Sequence, residues 1–385
     1  MKKICFLFNH DQTHQIAHSL PIALQMIGSR AAEVTIAVTS AVLEGEIRRL
    51  SGAALQGVNI IQLNTQSMLS QLLVRGLDKV VPARKILIYR DNLDFFRQFD
   101  ALVVSEKSSL ILKTRYGLRD LKFIHTRHGA GDRAIGFNAE SAQFDLILVS
   151  GEKIRERLVH DAHVAQDKIR IIGYAKFDIA APDRKPLFPH SDRPTILYNP
   201  HPSPHLSSWF EFGADVLEQF YHSDRYNLIF APHVMLFARP WAMTIDRLSI
   251  ARAKKPARRY YDAAHMLIDL GSAACTDMTY TNAADLYLGD VSSQVYEFLF
   301  RPRPCLFLDA HQTDWQGNAN YRHWTTGPVK TDASDIIAAV DEAFATHAAY
   351  SDAQRAVLQD SFSVTDELAS LRGAKAIIDY LGEPR

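Results

Sequence analysis

The segment 286–309, LYLGDVSSQVYEFLFRPRPCLFLD, carries the densest chemical signal in the chain. It reads as a short buried strand ending at Asp290, a helix opening at Ser292 and Ser293, and a second apolar strand ending at Asp309. The first backbone N–H groups of a helix have no intrahelical partner, and the aligned peptide dipoles favour negative charge in front of them. Two hydroxyls add donors. A strand that stops at Asp-x-Ser-Ser and turns at once into a helix is therefore suited to a phosphate, and the pattern points to a nucleotide-diphosphate ligand. Glu297, four residues past Ser293, would face the same way one turn on. It offers an acceptor to ribose hydroxyls, or else it is merely solvated. Ser and Asp also begin helices for purely structural reasons.

Four other constellations follow predicted strands. Thr126-Arg127-His128-Gly129-Ala130-Gly131-Asp132-Arg133 packs one His, two Arg and two Gly into one loop. Its glycines let backbone approach a ligand, His128 can act as a general base near neutral pH, and Arg127 and Arg133 can neutralise phosphate. The plain alternative is a Gly-rich turn with a satisfied His. Gly173–Asp178 offers Lys176 and Asp178, or is simply the exit from the last strand of a first domain. Asn199-Pro200-His201-Pro202-Ser203-Pro204-His205 is stiffened by three prolines. It reads as a loop meeting the donor through His201, or as a rigid turn. No nearby carboxylate or Cys completes a metal set there, and no metal is expected. Phe230-Ala231-Pro232-His233 again ends a strand in His, and His233 is placed to donate to a phosphate oxygen during transfer. Finally, the basic run RLSIARAKKPARRYY, from Arg247 to Tyr261, reads either as a solvated loop or as a peripheral patch for anionic lipid head groups or a polyanionic acceptor. Pro256 argues against one continuous helix through it.

Positioning these loops requires strands that stop where the motifs start. Apolar runs at 4–8, 34–38, 58–63, 101–104, 122–125 and 146–149 read as strands covered on both faces, hence a parallel sheet. Helical stretches at 13–26, 43–50, 67–80, 85–99, 107–116 and 152–160 alternate with them, which implies right-handed β-α-β units. The Pro- and charge-rich stretch APDRKPLFPHSDR at 181–193 reads as a linker. Beyond it strands at 195–198, 228–230, 265–269, 286–288 and 305–308 alternate with helices at 206–221, 278–284, 293–300 and 333–346, and 351–381 is helical. The expected division is 1–182 as an acceptor-side Rossmann-like domain, 183–347 as a donor-binding one, and 348–385 as helices packing back across the cleft. Ligands of such sheets bind beyond the carboxyl ends of strands, at switches in strand order.

The bulk numbers agree. A chain of 385 residues exceeds what one core usually serves, and 47% hydrophobic with 22% charged residues is ordinary globular composition. The formal net charge of zero gives no whole-protein pull toward nucleic acid. Three scattered cysteines, Cys5, Cys275 and Cys305, read as buried reduced thiols of a cytoplasmic protein. After MKKICFLF, the polar Asn9, His10 and Asp11 end the first apolar run too early for a signal peptide. The expected location is the cytoplasm, with any membrane contact peripheral at its inner face. The phosphate-binding P-loop signature, the dinucleotide glycine fingerprint after the first strand, the nucleophile-elbow motif and any Asp-x-Asp pair are all missing from the sequence.

In order and spacing these elements resemble the CDP-glycerol glycerophosphotransferase family, the teichoic-acid polymerase and primase type. The resemblance spans roughly residues 120–310. His128-Gly129 matches the family's His-Gly loop, and Gly173–Asp178 loosely matches its turn ending in Asp. Ile196-Leu197-Tyr198-Asn199-Pro200 resembles the strand opening its second domain, and Pro232-His233 its strand ending in His-Pro. Asp290-Val291-Ser292-Ser293, with Arg303-Pro304-Cys305, resembles its Asp-Tyr-Ser-Ser segment and the strand that follows. Val291 stands where the family has Tyr, Val234 replaces the Pro after His233, and His201-Pro202 replaces a Thr-x-Arg sequence. The resemblance implies the GT-B architecture: α/β, with two Rossmann-like doubly wound parallel-sheet domains facing a cleft. It implies a metal-independent transferase that moves a glycerophosphate-like or glycosyl group from a nucleotide-diphosphate donor to a glycan or lipid-linked acceptor, with no resident cofactor. His128 would be the base, and His233, Ser292 and Ser293 would stabilise charge on the phosphates. A UDP-sugar 2-epimerase-like enzyme and a degenerate nucleotide-binding scaffold are the alternatives the same architecture allows.

Overall fold

Residue alternation explains the first sheet. Ile4, Phe6 and Phe8 enter one hydrophobic core while Cys5 and Leu7 enter another. Ala101 and Val103 split in the same way from Leu102 and Val104, as do Leu146 and Leu148 from Ile147 and Val149. A strand with period-two side chains and both faces apolar must be covered on both faces, which is the doubly wound arrangement. The computed structural model describes residues 1–385 apart from 11, 56, 57, 59, 66–82, 128, 130, 132–136, 180–185, 245–248 and 383–385.

Among the described residues the first sheet is parallel and has seven strands: β1 (Lys3–Phe8), β2 (Glu33–Val38), β3 (Ile60–Gln62), β4 (Ala101–Val104), β5 (Lys122–Thr126), β6 (Leu146–Val149) and β7 (Ile169–Ile171). Their spatial order is β3-β2-β1-β4-β5-β6-β7, so the order reverses between β1 and β4. The second set is β8 (Thr195–Asn199), β9 (Asn227–Phe230), β10 (Trp241–Thr244), β11 (Ser249–Arg252), β12 (Met266–Ile268), β13 (Leu286–Gly289), β14 (Cys305–Leu308) and β15 (Val329–Lys330). Six of these form a parallel sheet in the order β12-β9-β8-β13-β14-β15, whose order reverses between β8 and β13. The strands β10 and β11 pair separately as an antiparallel hairpin.

The chain divides into two compact units. One comprises Met1–Gly129, Ala134–Ile179 and Asp360–Arg385; the other comprises Ala130–Arg133 and Ala180–Gln359. The expected break at 347 falls inside a continuous helix, Ile336–Phe362, because no Gly or Pro interrupts the helix-forming sequence there. The last helix, Ala369–Gly382, sends Ala369, Ala374 and Ile377 into the first core beside Ile22 and Met26. Asp178 caps it, accepting from Ser370 N at 2.7 Å. Gly173 sits at φ +86, where a Cβ would also strike the Arg372 guanidinium. The expected helix 13–26 is a 3-10 turn, Thr13–His18, followed by Leu20–Ser29, since Pro21 is suited to a first helical turn. The expected helix 67–80 lies outside the described residues. The strand β15 and the hairpin β10–β11 escape a reading by apolar runs, being very short or exposed. The three cysteines are buried and free. No helix among the described residues is long and apolar enough to cross a membrane.

Gln354 fastens the long helix to the second unit. It is fully buried, and its Nε2 donates to Arg303 O at 2.9 Å and Thr326 O at 2.8 Å. Gln354→Leu orphans these carbonyls, at a cost of about 1–3 kcal/mol for an unsatisfied buried group. A clear fall in melting temperature, read by calorimetry, is the expected result.

Candidate active site at the strand ends of the second sheet

Three adjacent strands, β9, β8 and β13, end in the residues the sequence singles out. Asn199 closes β8 and is fully buried. Its Nδ2 donates to Ala231 O at 2.6 Å, and its Oδ1 accepts from the Tyr287 hydroxyl at 3.1 Å. One amide thus locks all three strand ends together. Gly289 is required beneath this contact, because a Cβ there would lie 2.7 Å from the Tyr287 ring.

Asp290 then organises the loops. It is fully buried, and its carboxylate accepts from His201 N at 2.9 Å, Ser208 N at 2.6 Å, Ser208 Oγ at 2.9 Å and Val291 N at 2.7 Å. Tyr198 lies 3.0 Å from Ser208 Oγ; since that hydroxyl donates to Asp290, the tyrosine donates to the serine. The Asp290 carbonyl accepts from Trp324 Nε1 at 2.9 Å and His323 Nε2 at 3.0 Å. The sequence reading places Asp290 among the donor-binding groups. The structure commits its carboxylate to its own chain, so it acts on the site through the loops it holds.

The two imidazoles come out side by side. The rings of His201 and His233 are 6.1 Å apart between centroids. His201 Nδ1 accepts from Ser203 N at 3.0 Å, and His233 Nδ1 accepts from Met235 N at 3.2 Å. An accepting Nδ1 carries no proton, so in each neutral ring Nε2 is the N–H donor. The prolines of the loop 200–204 hold one ring, and the bond from His233 N to Pro200 O at 3.1 Å ties the second loop to the first.

The helix after β13 differs from expectation. It covers Gln294–Phe298, five residues, rather than 293–300, so its dipole is small. Ser292 is buried, its Oγ accepting from Gln294 N at 3.3 Å, while Ser293 is exposed and makes no side-chain cap bond. Glu297 is buried, which removes the solvated reading. Gln294 Nε2 donates to Cys275 O at 2.7 Å and fixes the start of the helix against the turn after β12. Gly131, which groups with this unit, has its Cβ position 3.2 Å from the Ser293 Cβ. Ser293 and the two imidazoles thus supply donors at the reversal point of this sheet. Flanking carboxylates are spent locally: Asp269 accepts from Gly271 N, Ser272 and Tyr280, and Asp309 from His311 N and Thr313. Among the described residues no group of three or more His, Cys, Asp or Glu is placed to hold a metal.

In the first unit Arg127 is half-buried, its guanidinium 4.0 Å from the Phe137 ring centroid, with Arg157 at 4.3 Å from the same ring. Burial, then the neighbouring Arg157, lowers its pKa to about 10, so it stays charged at neutral pH. Gly129 takes φ +77, a conformation that favours glycine. His128 and Arg133 lie outside the described residues. Lys176 is buried and Asp178 caps a helix. Of the groups that this arrangement depends on, Tyr287, Ser208 and Trp324 are given no role in the sequence reading, and Asn199 enters it only as the first residue of a Pro-rich loop. Only Asn199, as a polar residue closing an apolar strand, carries a sequence signal.

No protein-family profile matches the chain, and no curated protein does. Solved structures match along its whole length. The putative UDP-N-acetylglucosamine 2-epimerase from Listeria monocytogenes superposes with a TM-score of 0.61 at 14% identity, over 100% of this chain and 97% of that one. The S. aureus MnaA–UDP co-structure gives 0.59 at 14% identity, over 99% and 97%. The wall teichoic acid polymerase TagF gives 0.62 at 15% identity, over 99% and 88%. Likeness at such identity establishes the fold, the α/β GT-B type with two parallel-sheet units, and leaves activity to the site itself.

Burial, working against the bonds from Ser208, His201 and Val291, raises the Asp290 pKa from 3.8 to about 6. The folded state therefore binds the proton more tightly than the unfolded chain does. The resulting stability is fully present below about pH 3.8 and is lost as pH rises through about 6. Asp290→Asn turns an accepting oxygen into a donor facing donors, which costs about 1–3 kcal/mol or more. Thermal melts from pH 4 to 7.5 are expected to show the variant less stable throughout, with the gap to wild type shrinking as pH rises.

Proposed function

We propose that this chain is a transferase that takes a group from a nucleotide-diphosphate donor, with the donor's diphosphate held at the ends of β8, β9 and β13. The observation that carries this reading is the pairing of the His201 and His233 rings, each with Nδ1 engaged by backbone and Nε2 as donor, at the sheet's reversal point beside Ser293. Fixed N–H and hydroxyl donors aimed at developing phosphate charge need no reorganisation during transfer. The donor is itself the substrate, so the scheme calls for no resident cofactor or metal. The structural relatives support a nucleotide: MnaA was solved with UDP, and a TagF variant was soaked with CDPG.

In this scheme His128 takes the proton of the acceptor hydroxyl as it attacks. Attack on the donor's β-phosphorus transfers a glycerophosphate-like group and releases the nucleoside monophosphate. Attack on an anomeric carbon transfers a glycosyl group and releases the diphosphate. Arg127, Arg133, Gly129 and Glu297 belong to the same donor-side reading. The epimerase-like relatives favour a second reading, in which a UDP-sugar is changed with no acceptor present. Incubation with UDP-sugars alone separates the two.

The acceptor in this proposal is a glycan or lipid-linked molecule met at a membrane surface. The exposed Trp241 and Ile250 and the cation of Arg252 share one face of the hairpin β10–β11, since Trp241 pairs directly with Arg252. Beside it a concavity of about 500 Å³ is lined by Phe237, Arg239, Pro240, Arg252, Ala253, Lys254 and Lys255. Aromatic and aliphatic side chains next to a basic concavity suit anionic head groups. This shifts the contact from the whole run Arg247–Tyr261 toward the hairpin, since Arg259 is already paired with Glu218.

A thermal-shift screen against CDP-, UDP-, GDP- and CMP-linked donors is expected to raise the melting temperature for one nucleotide class. His233→Ala should reduce that shift. With donor and acceptor supplied, His128→Ala should lose at least about a hundredfold in turnover while the nucleotide still binds; undiminished turnover would remove His128 as the base. In flotation with anionic vesicles, Trp241→Ala combined with Lys254→Glu and Lys255→Glu should abolish recovery in the lipid fraction.

A further inference from the structure

The first sheet has its own reversal point, between β1 and β4, and an unusual set of side chains lies there. Asn9 and His10 follow β1 directly and are buried, at 0% and 6% exposure. Neither ring nitrogen of His10, nor Asn9 Oδ1, has a hydrogen-bond partner among the described residues. Asn9 is oriented by its Nδ2, which donates to the Tyr89 hydroxyl. Glu106, just after β4, places Oε1 3.8 Å from His10 Nδ1, and its Oε2 lies 3.8 Å from Lys85 Nζ. Glu106 and Lys85 are partly open, with side chains 22% and 14% exposed, so they form a rim over the buried pair.

Leaving a buried polar atom unpaired costs free energy comparable to a lost hydrogen bond, and three such atoms in two consecutive residues are uncommon. They stand at the place in the sheet where ligands of doubly wound folds sit. We propose that Asn9, His10, Glu106 and Lys85 form a binding site for an uncharged polyhydroxyl molecule, a polyol or a saccharide. The donor–acceptor inventory selects that class. A neutral imidazole offers one donor and one acceptor, Asn9 Oδ1 and Glu106 accept, and Lys85 donates. Vicinal hydroxyls, each both donor and acceptor, complement such a mixed set. A phosphate, which only accepts, would find Asn9 Oδ1 and the Glu106 carboxylate opposed to it. The site deepens the transferase reading by naming where the acceptor's hydroxyls are held, and rests on that reading for the word acceptor.

The test uses the full chain and two variants, His10→Phe and Glu106→Gln, with glycerol, ribitol and methyl α-glucopyranoside as uncharged probes and glycerol 3-phosphate as the charged control. Binding is read by saturation-transfer NMR, folding by melting temperature, and nucleotide binding by the thermal shift. At least one uncharged probe is expected to bind wild type, with affinity falling roughly tenfold or more in both variants. His10→Phe should melt no lower than wild type, because it replaces unpaired nitrogens with apolar surface, a signature a merely structural histidine would not give. Equal binding by variants and wild type, binding of glycerol 3-phosphate alone, no probe bound by wild type, or a destabilised His10→Phe would each overturn the site. Polyol binding without any nucleotide shift would uphold it while removing the donor reading. A nucleotide shift without polyol binding would do the reverse.

Discussion

One buried carboxylate holds the candidate site together. Asp290 ends β13, yet its four donors come from the loop after β8 and from its own chain, and its carbonyl receives Trp324 and His323. Ligand-facing loops are usually the least constrained part of an α/β fold. Here two of them are fixed by an anion that itself faces inward. The imidazole of His201 is carried by the residue whose own amide is bound to Asp290, so the donor geometry inherits the rigidity of that anion. Such an arrangement suits electrostatic preorganisation, in which dipoles are set before charge develops.

How much of this the sequence discloses depends on the period of the residues involved. Parallel strands buried on both faces are continuous apolar runs, and those at 101–104, 146–149 and 305–308 are legible to the residue. Loop residues directly after such runs are legible too, which is why His201, His233, Asp290 and Ser292 stand out. Their roles are less legible. Nothing local tells that Asp290 faces the amides of His201 and Ser208, because those lie in a loop 80 or more residues away, or that Ser292 is buried while Ser293 is open. Helix lengths fail for a related reason. The helix after Ser293 stops at Phe298 because Arg303, stacked on the Phe298 ring at 3.9 Å, donates to Phe298 O and to Thr281 O. That tertiary contact leaves no trace in helix periodicity.

The two sheets treat the same topological position in opposite ways. At the reversal of the second, Asp290 is engaged by backbone amides and a hydroxyl, and His201, His233 and Ser293 bring donors suited to an anion. At the reversal of the first, Asn9 Oδ1 and the His10 ring lack hydrogen-bond partners among the described residues, beside a Lys85–Glu106 rim. Marginal stability makes such uncompensated polar burial expensive, and functional positions are where that expense is usually tolerated. On the proposed reading a single fold would present two recognition chemistries, one selecting for negative charge and one for neutral hydroxyls.

The helix Ile336–Phe362 begins in one compact unit and ends in the other, which receives Asp360 onward. Apart from the short stretch Ala130–Arg133, the polypeptide therefore passes between the units near residue 180 and again near residue 360. Severing the chain in the stretch 186–193 would break the covalent link to residues 1–185, which would then be held only by the packing of Ala369, Ala374 and Ile377 in their core, and the nicked protein would travel as one species until denatured. Gene fragments cut at residue 180 would be a different matter. The upstream piece would lack Ala369, Ala374 and Ile377, the side chains that close its core, so it would be recovered insoluble unless the final helix were supplied in trans.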